Sequence, residues 1–381
     1  MQKIKNIEFL RIIACIAVIA LHLFREPFSN LFSDIEIYTK GANVLYNGQK
    51  AVDLFFIISG FFFAYLLNTK YNLWDFIKKK LIRLYPVAIF TVVLSFLISL
   101  TGVIKFNLYG NILVLLNLHG TAMSVNLSYC HIRVFWYVSS MLWVLGIYYY
   151  ALKHFDKKKV NFAIFLTVFF CYSFLINAKN GAINNIEQTF YHIFNVGFMR
   201  ALGGVGIGYF IGEWWKENKE KIQQISLNLY QKLAVTALEF ICLYFMINNL
   251  LLHRLKFQNH MIFIADFIAL IMLFVAKKGY ISQILNDTKL GDISVNIAKY
   301  TYSTYIIHKL IFAVLVGTFW KHNPQWVYAH PIENVVYTLI LVFIFGIFTY
   351  HFVEAPCARY FSQKAKNAAT KRERESNILS H

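Results

Sequence analysis

The stretch IEFLRIIACIAVIALH, residues 7–22, decides the class of fold. With its flanking residues it approaches the roughly 20 apolar residues that a helix needs to cross a bilayer. Arg11 and His22 stand within it, and ionisable groups within a membrane are costly and indicate function. No small-residue cleavage site follows the run, so we interpret it as a retained first transmembrane helix rather than a signal peptide.

The rest of the chain has the same character. Of its 381 residues, 58% are hydrophobic and only 15% are charged, whereas a soluble domain carries about a quarter charged residues. The formal net charge of +18 comes from basic residues in short segments between apolar runs, where they report membrane topology rather than nucleic-acid binding. The five cysteines form no C-x-x-C pair, so we infer neither a disulfide nor a metal site.

The apolar runs predict an all-α polytopic membrane protein with a bundle of ten transmembrane helices. The predicted spans are 7–24, 51–68, 85–104, 136–152, 160–176, 198–213, 233–251, 261–276, 301–320 and 334–353. With ten spans all strongly basic segments fall on one side, so both termini are predicted to be cytoplasmic. One further apolar run is too short to cross comfortably. If it crossed the membrane, every later basic loop would lie on the outer side, so we predict instead a re-entrant or interfacial outer segment near 111–127.

One domain boundary and one packing motif follow from the same pattern. Residues 1–360 are predicted to form one membrane domain, and the charged residues 361–381 a disordered cytoplasmic tail. Gly204, Gly208 and Gly212 repeat every four residues within GGVGIGYFIG, which is typical of close helix packing in lipid. No register of this run gives the G-x-G-x-x-G pattern of a nucleotide site.

Arg11 and His22 are predicted to share one face of the first helix. They are eleven positions apart, which gives roughly 20° of angular difference and roughly 16 Å of axial separation. Arg11 then lies near the cytoplasmic end, where a guanidinium can bind phosphate, and His22 lies near the outer end. The alternative is that Arg11 extends to the interface and His22 merely ends the helix.

Asp53 begins the second span at the outer level of His22. A carboxylate beside a histidine fixes its tautomer and stabilises its protonated form. We therefore predict that Asp53 orients His22 as a general base for a hydroxyl group. A purely structural ion pair is the alternative.

Further charged and aromatic residues near the predicted spans have two interpretations each. Lys80 and Arg83, in KKKLIRLYP, bind the phosphates of a nucleotide-like cofactor or serve only as positive-inside charge. Substrate contact or a structural role is open for Arg200, for Trp136, for His308 in the inner half of the ninth span, and for Glu354.

Taken in order, these motifs resemble acyltransferase family 3, the membrane O-acyltransferases that modify bacterial surface polysaccharides. The matching stretches are IEFLRIIACIAVIALH at 7–22, VDLFFIISGFFFAY at 52–65, FIKKKLIRLYP at 76–86, FWYVSS at 135–140, FMRALGGVGIGYFIG at 198–212, TYSTYIIH at 301–308 and FVEAP at 352–356. The resemblance implies a ten-helix fold in the bacterial inner membrane. It also implies acyl-CoA, usually acetyl-CoA, as a co-substrate rather than a permanent cofactor, and a surface polysaccharide or lipid-linked glycan as acceptor.

Two positions depart from the family pattern. Lys80 stands where the family often has an arginine, which keeps the charge but loses the bidentate fork. Met141 stands where many members carry a glutamate, so the acceptor is expected to differ from the commonest glycans.

The expected mechanism joins the two ends of the first helix through a shared tunnel. Phosphates of acyl-CoA bind Arg11, Lys80 and Arg83, and the pantetheine arm brings the thioester to His22. His22 then deprotonates the acceptor hydroxyl, or itself carries the acyl group for a time. The rival interpretation is a glycan transporter or flippase. The lack of an internal repeat or of paired broken helices disfavours it.

Overall fold

The structure, a computed structural model, describes residues 4–67, 73–120, 130–178, 189–190, 194–252 and 259–364. Nearly all of these residues are helical, as the apolar periodicity predicts. The α-helices are α1 Lys5–Leu23, α2 Ser29–Leu31, α3 Glu36–Val44, α4 Ala51–Leu66, α5 Leu73–Ser99, α6 Leu108–Leu115, α7 Trp136–His154, α8 Lys157–Ala178, α9 Val196–Gln224, α10 Leu229–Ile247, α11 His260–Ala276, α12 Tyr280–Asp287, α13 Lys289–Ala298, α14 Thr301–Leu315, α15 Pro324–Ala329 and α16 Pro331–Thr349.

Short irregular segments continue several of these helices. π-helical turns follow α1, α10, α14 and α16 at Phe24–Phe28, Asn248–Leu252, Val316–Trp320 and Tyr350–Glu354, and 3₁₀ turns precede α4 and α7 at Tyr46–Lys50 and Arg133–Phe135. A two-residue antiparallel pairing joins β1, Thr189–Phe190, to β2, Phe194–Asn195. π-helical turns occur frequently at functional sites, and the first of them begins two residues after His22.

Seven helical segments in the described part of the chain are long and apolar enough to cross a membrane. They are Lys5–Phe28, Trp74–Ser99, Arg133–His154, Lys157–Asn177, Leu229–Leu252, Thr301–Trp320 and Pro331–Lys364. The bent pair α11 and α12, at 60°, makes an eighth if it is counted as one span. The chain is therefore a multi-pass membrane protein, while the count of ten spans and the position of the termini stay predictions.

The third predicted span and the predicted outer segment near 111–127 can be compared with α5 and α6. The third span was predicted too far along the chain, at 85–104, because the lysines before it were interpreted as part of a loop. α5 instead starts at Leu73, and its first turns carry these lysines, in the stretch KKKLIRLYP. α6 has eight residues, about 12 Å of helix, which is too short to cross and agrees with an interfacial segment. Residues 121–129 and 365–381, which hold the rest of that segment and most of the predicted tail, lie outside the described residues.

α4 and α9, the two remaining predicted spans, pack backbone against backbone. A Cβ on Gly208 would lie 1.9 Å from the carbonyl oxygen of Ile57, and one on Gly60 would lie 2.1 Å from that of Val205. Gly204 and Gly212 face α4 in the same way. The prediction that this glycine repeat serves close helix packing is confirmed, and the tight contact sets the spacing of the polar residues at the outer ends of both helices.

The bend between α11 and α12 is held by α10. Lys277 ends α11 in the left-handed conformation, with φ 54°. Glu239 of α10 then accepts the backbone N–H groups of Ile281 and Ser282, at 3.1 and 3.2 Å, in the first turn of α12. The unpaired N–H groups of a helix start need such acceptors, so a buried carboxylate stabilises the break.

Candidate active site

His22 of α1 and His308 of α14 form a hydrogen-bonded pair near the C-terminal end of α1. His22 Nδ1 lies 2.9 Å from His308 Nε2, and the two rings are stacked with an interplanar angle of 13°. His308 is fully buried, whereas His22 is only partly buried. His308 was predicted in the inner half of its span, but its partner puts it at the level of His22.

The backbone of α14 decides which ring nitrogen of each histidine carries a proton. His308 Nδ1 lies 2.6 Å from the carbonyl oxygen of Tyr305, and a carbonyl oxygen can only accept, so Nδ1 of His308 donates. When His308 is neutral, its Nε2 is therefore an acceptor for the Nδ1–H of His22. The remaining nitrogen of His22, Nε2, then keeps its lone pair, as a general base requires.

Asp53 does not orient His22, and that prediction was wrong. Its carboxylate accepts two hydrogen bonds from Arg200 of α9, Nε to Oδ1 at 3.1 Å and Nη2 to Oδ2 at 2.8 Å. His260 of α11 contacts Oδ2 at 2.5 Å. The depth of Asp53 along α4 was predicted from the sequence, but its direction around the helix axis depends on α9 and α11, which pack against that face.

The contacts of Arg200 favour the structural interpretation of that residue and of Trp136. The guanidinium is 1% exposed and also donates to the carbonyl oxygen of Gln49, at 3.0 Å. It lies 5.6 Å from the centre of the Trp136 ring, within the range of a cation–π contact. Asp53, Arg200 and His260 thus tie three helices together; we call them the ion triad.

Near the N-terminal end of α1, the three residues predicted to bind phosphates lie within range of one another's charges. Arg11 donates to Glu8, with 2.8 Å between Nη1 and Oε2. Lys80 of α5 lies near enough to both Arg83 and Arg11 for their charges to interact. Clustered cations at one mouth of the bundle suit a polyanionic ligand.

Glu354 belongs to the same inner cluster. It accepts a hydrogen bond from the Ser303 hydroxyl at 2.6 Å and lies near Arg83 and Arg11. The hydrogen bond from Ser303 gives Glu354 a structural contact, and whether it also contacts substrate stays open.

Aromatic side chains occupy the interval between the two ends of α1. Tyr137, which lies near Arg11, contacts Tyr305 with ring centres 6.2 Å apart, and Phe55 contacts both rings. The Tyr305 ring in turn lies 5.9 Å from that of His308. These three aromatic residues connect the surroundings of Arg11 to the histidine pair.

Two histidines of the outer segment, His119 and His131, lie outside the spanning helices. His131 Nε2 donates to the carbonyl oxygen of Lys105 at 2.9 Å, and burial lowers the pKa of His131. Burial also lowers the pKa of His119, to about 3. Both rings are neutral near pH 7, so neither adds positive charge to the outer side of the site.

Sequence reasoning missed three residues of these clusters: His260, and the ion pair that Lys309 forms with Glu26 beside the histidine pair. Lys309 directly follows His308, and Glu26 lies one turn after His22. An ionisable residue so close to each suspected histidine was a usable signal. His260 begins its span at the outer side, as Asp53 does, but nothing local marked it as a partner.

Comparison with known proteins agrees with the motif order. The family model described as an acyltransferase domain, Acyl_transf_3, matches residues 4–351. The acyltransferase MdmB of Streptomyces mycarofaciens is 31% identical over 106 residues, which are 28% of this chain and 25% of that protein. This chain therefore aligns with about a quarter of that relative's length, and no solved structure matches it.

The family match spans the Arg11–His22 helix, the ion triad and His308 in one continuous alignment. On that match the chain is a membrane-embedded member of this acyltransferase family.

Proposed function

We propose that the protein is an O-acyltransferase that moves an acyl group, acetyl by preference, from cytoplasmic acyl-CoA to a sugar hydroxyl at the outer face of the bacterial inner membrane. The acceptor is a cell-surface polysaccharide or a lipid-linked glycan. The observation that carries the proposal is the chain of contacts from the Tyr305 carbonyl through His308 to His22. These contacts leave an unprotonated nitrogen, Nε2, on the partly exposed side chain of His22.

In the proposed reaction His22 Nε2 accepts the proton of the sugar hydroxyl as the oxygen attacks the thioester carbonyl. The C–O bond of the new ester forms, the C–S bond breaks, and the CoA sulfur leaves with the proton from His22. The contact with His308 stabilises the imidazolium that forms between these steps, as an acceptor at Nδ1 does in other acyl-transfer enzymes. In the variant with an acyl-enzyme, His22 Nε2 attacks first and water is excluded until the sugar arrives.

The donor is proposed to bind at the inner cluster. Arg11, Lys80 and Arg83 supply the charges for the phosphates. The pantetheine arm then lies along Phe55, Tyr137 and Tyr305, since these rings connect Arg11 to the histidine pair. The arm is of the same order as the roughly 16 Å of axial separation between Arg11 and His22.

Proteoliposomes test the reaction and its direction together. Purified protein is reconstituted with a glycan acceptor inside the vesicle and acetyl-CoA, labelled in the acetyl group, outside. Insertion in the orientation that exposes the inner cluster is expected to give labelled ester on the trapped glycan and free CoA outside. A glycan transporter would instead move the glycan and leave the thioester intact.

His330→Ala is a matched control for His22→Ala, since the described side-chain contacts of His330, between α15 and α16, are with Glu333 and Trp326. The control is expected to keep the wild-type rate. Transfer of label by the His22→Ala protein at the wild-type rate would contradict the proposal. Mass spectrometry of the surface glycan with and without the protein then identifies the acyl group and the sugar.

A further inference from the structure

The outer side of the histidine pair carries an excess of positive charge. Arg25, Arg133 and Lys309 each lie near enough to His22 for their charges to act on its ring. The carboxylate that the described residues place among them is that of Glu26. Of these three cations, Lys309 and Arg133 also act on Glu26, at the point where an acceptor from outside would meet His22.

The fold holds these charges beside the two histidines. Lys309 follows His308 on α14, and its Nζ lies 2.6 Å from both carboxylate oxygens of Glu26. Glu26 and Arg25 belong to the π-helical turn that follows His22. π-helical turns are frequent at functional sites, and this one holds Arg25 and Glu26 within about one turn of His22.

Arg133 comes from a different part of the chain. Tyr305 lies one turn before His308 on α14, and its hydroxyl donates to the carbonyl oxygen of Val134 at 3.1 Å. That bond seats the 3₁₀ turn Arg133–Phe135 against α14. Arg133 thereby comes within range for its charge to act on both His22 and Glu26.

The charges extend from the interior to the surface. Lys309 is 7% exposed, the Glu26 side chain is 41% exposed, and Arg25 is exposed. Charges in such a partly buried opening interact more strongly with a ligand than they would in open water. An anion that enters beside His22 would come within range of the charges of both arginines.

We propose that the acceptor carries a negative charge, a carboxylate or a phosphate, close to the hydroxyl that is acylated, and that Arg25 and Arg133 bind it. This rests on the proposed acyl transfer and adds the chemical class of the acceptor. The anionic group is unchanged in the reaction; only the hydroxyl oxygen gains the acyl group. A carboxylate would come from a uronic acid of a polymer, and a phosphate from a phosphorylated sugar or a lipid-linked glycan.

The test compares three acceptors with the same free hydroxyls at positions 2, 3 and 4: methyl glucoside, methyl glucuronide and methyl glucoside 6-phosphate. With acetyl-CoA and purified protein, kcat/KM for at least one charged acceptor is expected to exceed that for the glucoside by about 10- to 100-fold, the range for a hydrogen-bonded charge. Preference for the phosphate alone indicates a phosphorylated acceptor, and preference for the glucuronide indicates a uronic acid. Equal values for all three overturn the inference.

Substitutions of Arg133 test whether this side chain causes the preference for a charged acceptor. Arg133→Gln is expected to reduce the preference at least tenfold by raising KM for the charged acceptor, and Arg133→Lys to retain part of it. Lys321→Gln, which removes one charge at the far end of the Thr301–Trp320 span, is expected to change nothing. An equal fall in kcat for all three acceptors in Arg133→Gln would show that the charge acts on the reaction and would overturn the inference.

Binding separates this inference from the proposed transfer. Calorimetric titration of the glucuronide, the phosphate and the glucoside, without acetyl-CoA, is expected to give the same order of affinities. Tighter binding of a charged acceptor by a protein that transfers no acetyl group would support the charged site and contradict the transfer. Equal transfer with no difference in binding would do the reverse.

Discussion

The histidine pair and the ion triad lie in the same membrane protein, and each places a histidine in a short contact with another ionisable side chain. In the triad, both oxygens of Asp53 are engaged by Arg200, and His260 shares one of them. In the pair, the described contacts of His22 use Nδ1. The triad residues are at most 1% exposed, whereas His22 is only partly buried.

The difference shows how similar residue types divide between support and chemistry. A buried carboxylate whose two oxygens both accept from one arginine is already engaged, and removing one partner leaves an unpaired charge in a medium of low dielectric constant. A histidine with one nitrogen fixed and the other open can take a proton from a ligand. We therefore assign the triad to stability and the pair to the reaction, and each of the following variants tests that division.

The largest effect is expected from His22→Ala. Loss of a general base lowers kcat by about 10²–10⁴, while the helix keeps its apolar surroundings and the protein stays folded. The measurement is acetyl transfer by purified protein, normalised to the folded fraction from size-exclusion chromatography. A variant that aggregates in detergent would instead assign His22 to stability, against the division.

Asp53→Ala is expected to have the opposite profile. It leaves the charge of Arg200 buried without its carboxylate, which costs about 3–5 kcal/mol, so the melting temperature and the amount of folded protein in the membrane both fall. The matched control is Glu36→Ala. Glu36 forms an exposed ion pair with Lys40, and such a pair contributes little to stability because solvent screens it. A stable Asp53→Ala protein without activity would restore Asp53 to the reaction.

His308 is a positioning residue in this account, and its variants should be graded. His308→Ala removes the acceptor for His22 Nδ1–H and is expected to lower kcat roughly 10- to 100-fold, in line with the loss of one strong hydrogen bond. His308→Gln supplies an amide oxygen in its place and is expected to recover part of the rate. Identical rates for the two variants would show that His308 does not act through this hydrogen bond.

The smallest of these effects is expected for the helix contact that supports the triad. Gly208→Ala places a Cβ against the Ile57 carbonyl, and overpacking of this kind costs about 1–3 kcal/mol. Gly146→Ala is the control, because its Cβ would meet only Ile77, at 3.7 Å. Thermal unfolding should separate the two variants, and an equal melting temperature would contradict the tight α4–α9 contact.

Features that depend on one helix at a time were accessible from the sequence. Apolar length gave the membrane class, and the four-residue spacing gave the glycine contact. The order of short motifs gave the family. Each of these follows from local geometry or from composition and needs no knowledge of which helices are neighbours.

Features that depend on the rotation of one helix against another were not accessible. Asp53 and His308 were both singled out, but their partners were wrong or missing, because a hydropathy pattern gives depth and not azimuth. The helix that carries Lys80 and Arg83 was started too late, since basic side chains at a membrane surface look alike in a loop and in a first helical turn. α4 and α9 are short or glycine-rich, so hydropathy alone leaves their crossing a prediction.

The central claim is that His22 holds its proton on Nδ1 and presents an unprotonated Nε2. Nitrogen-15 NMR of histidine-labelled protein in lipid nanodiscs, with His22 assigned by comparison with His22→Ala, measures this at neutral pH. The account predicts a protonated Nδ1 and an unprotonated Nε2 for His22, with the Nδ1 signal shifting in His308→Ala. A proton on Nε2 of His22 in the wild-type protein would contradict it.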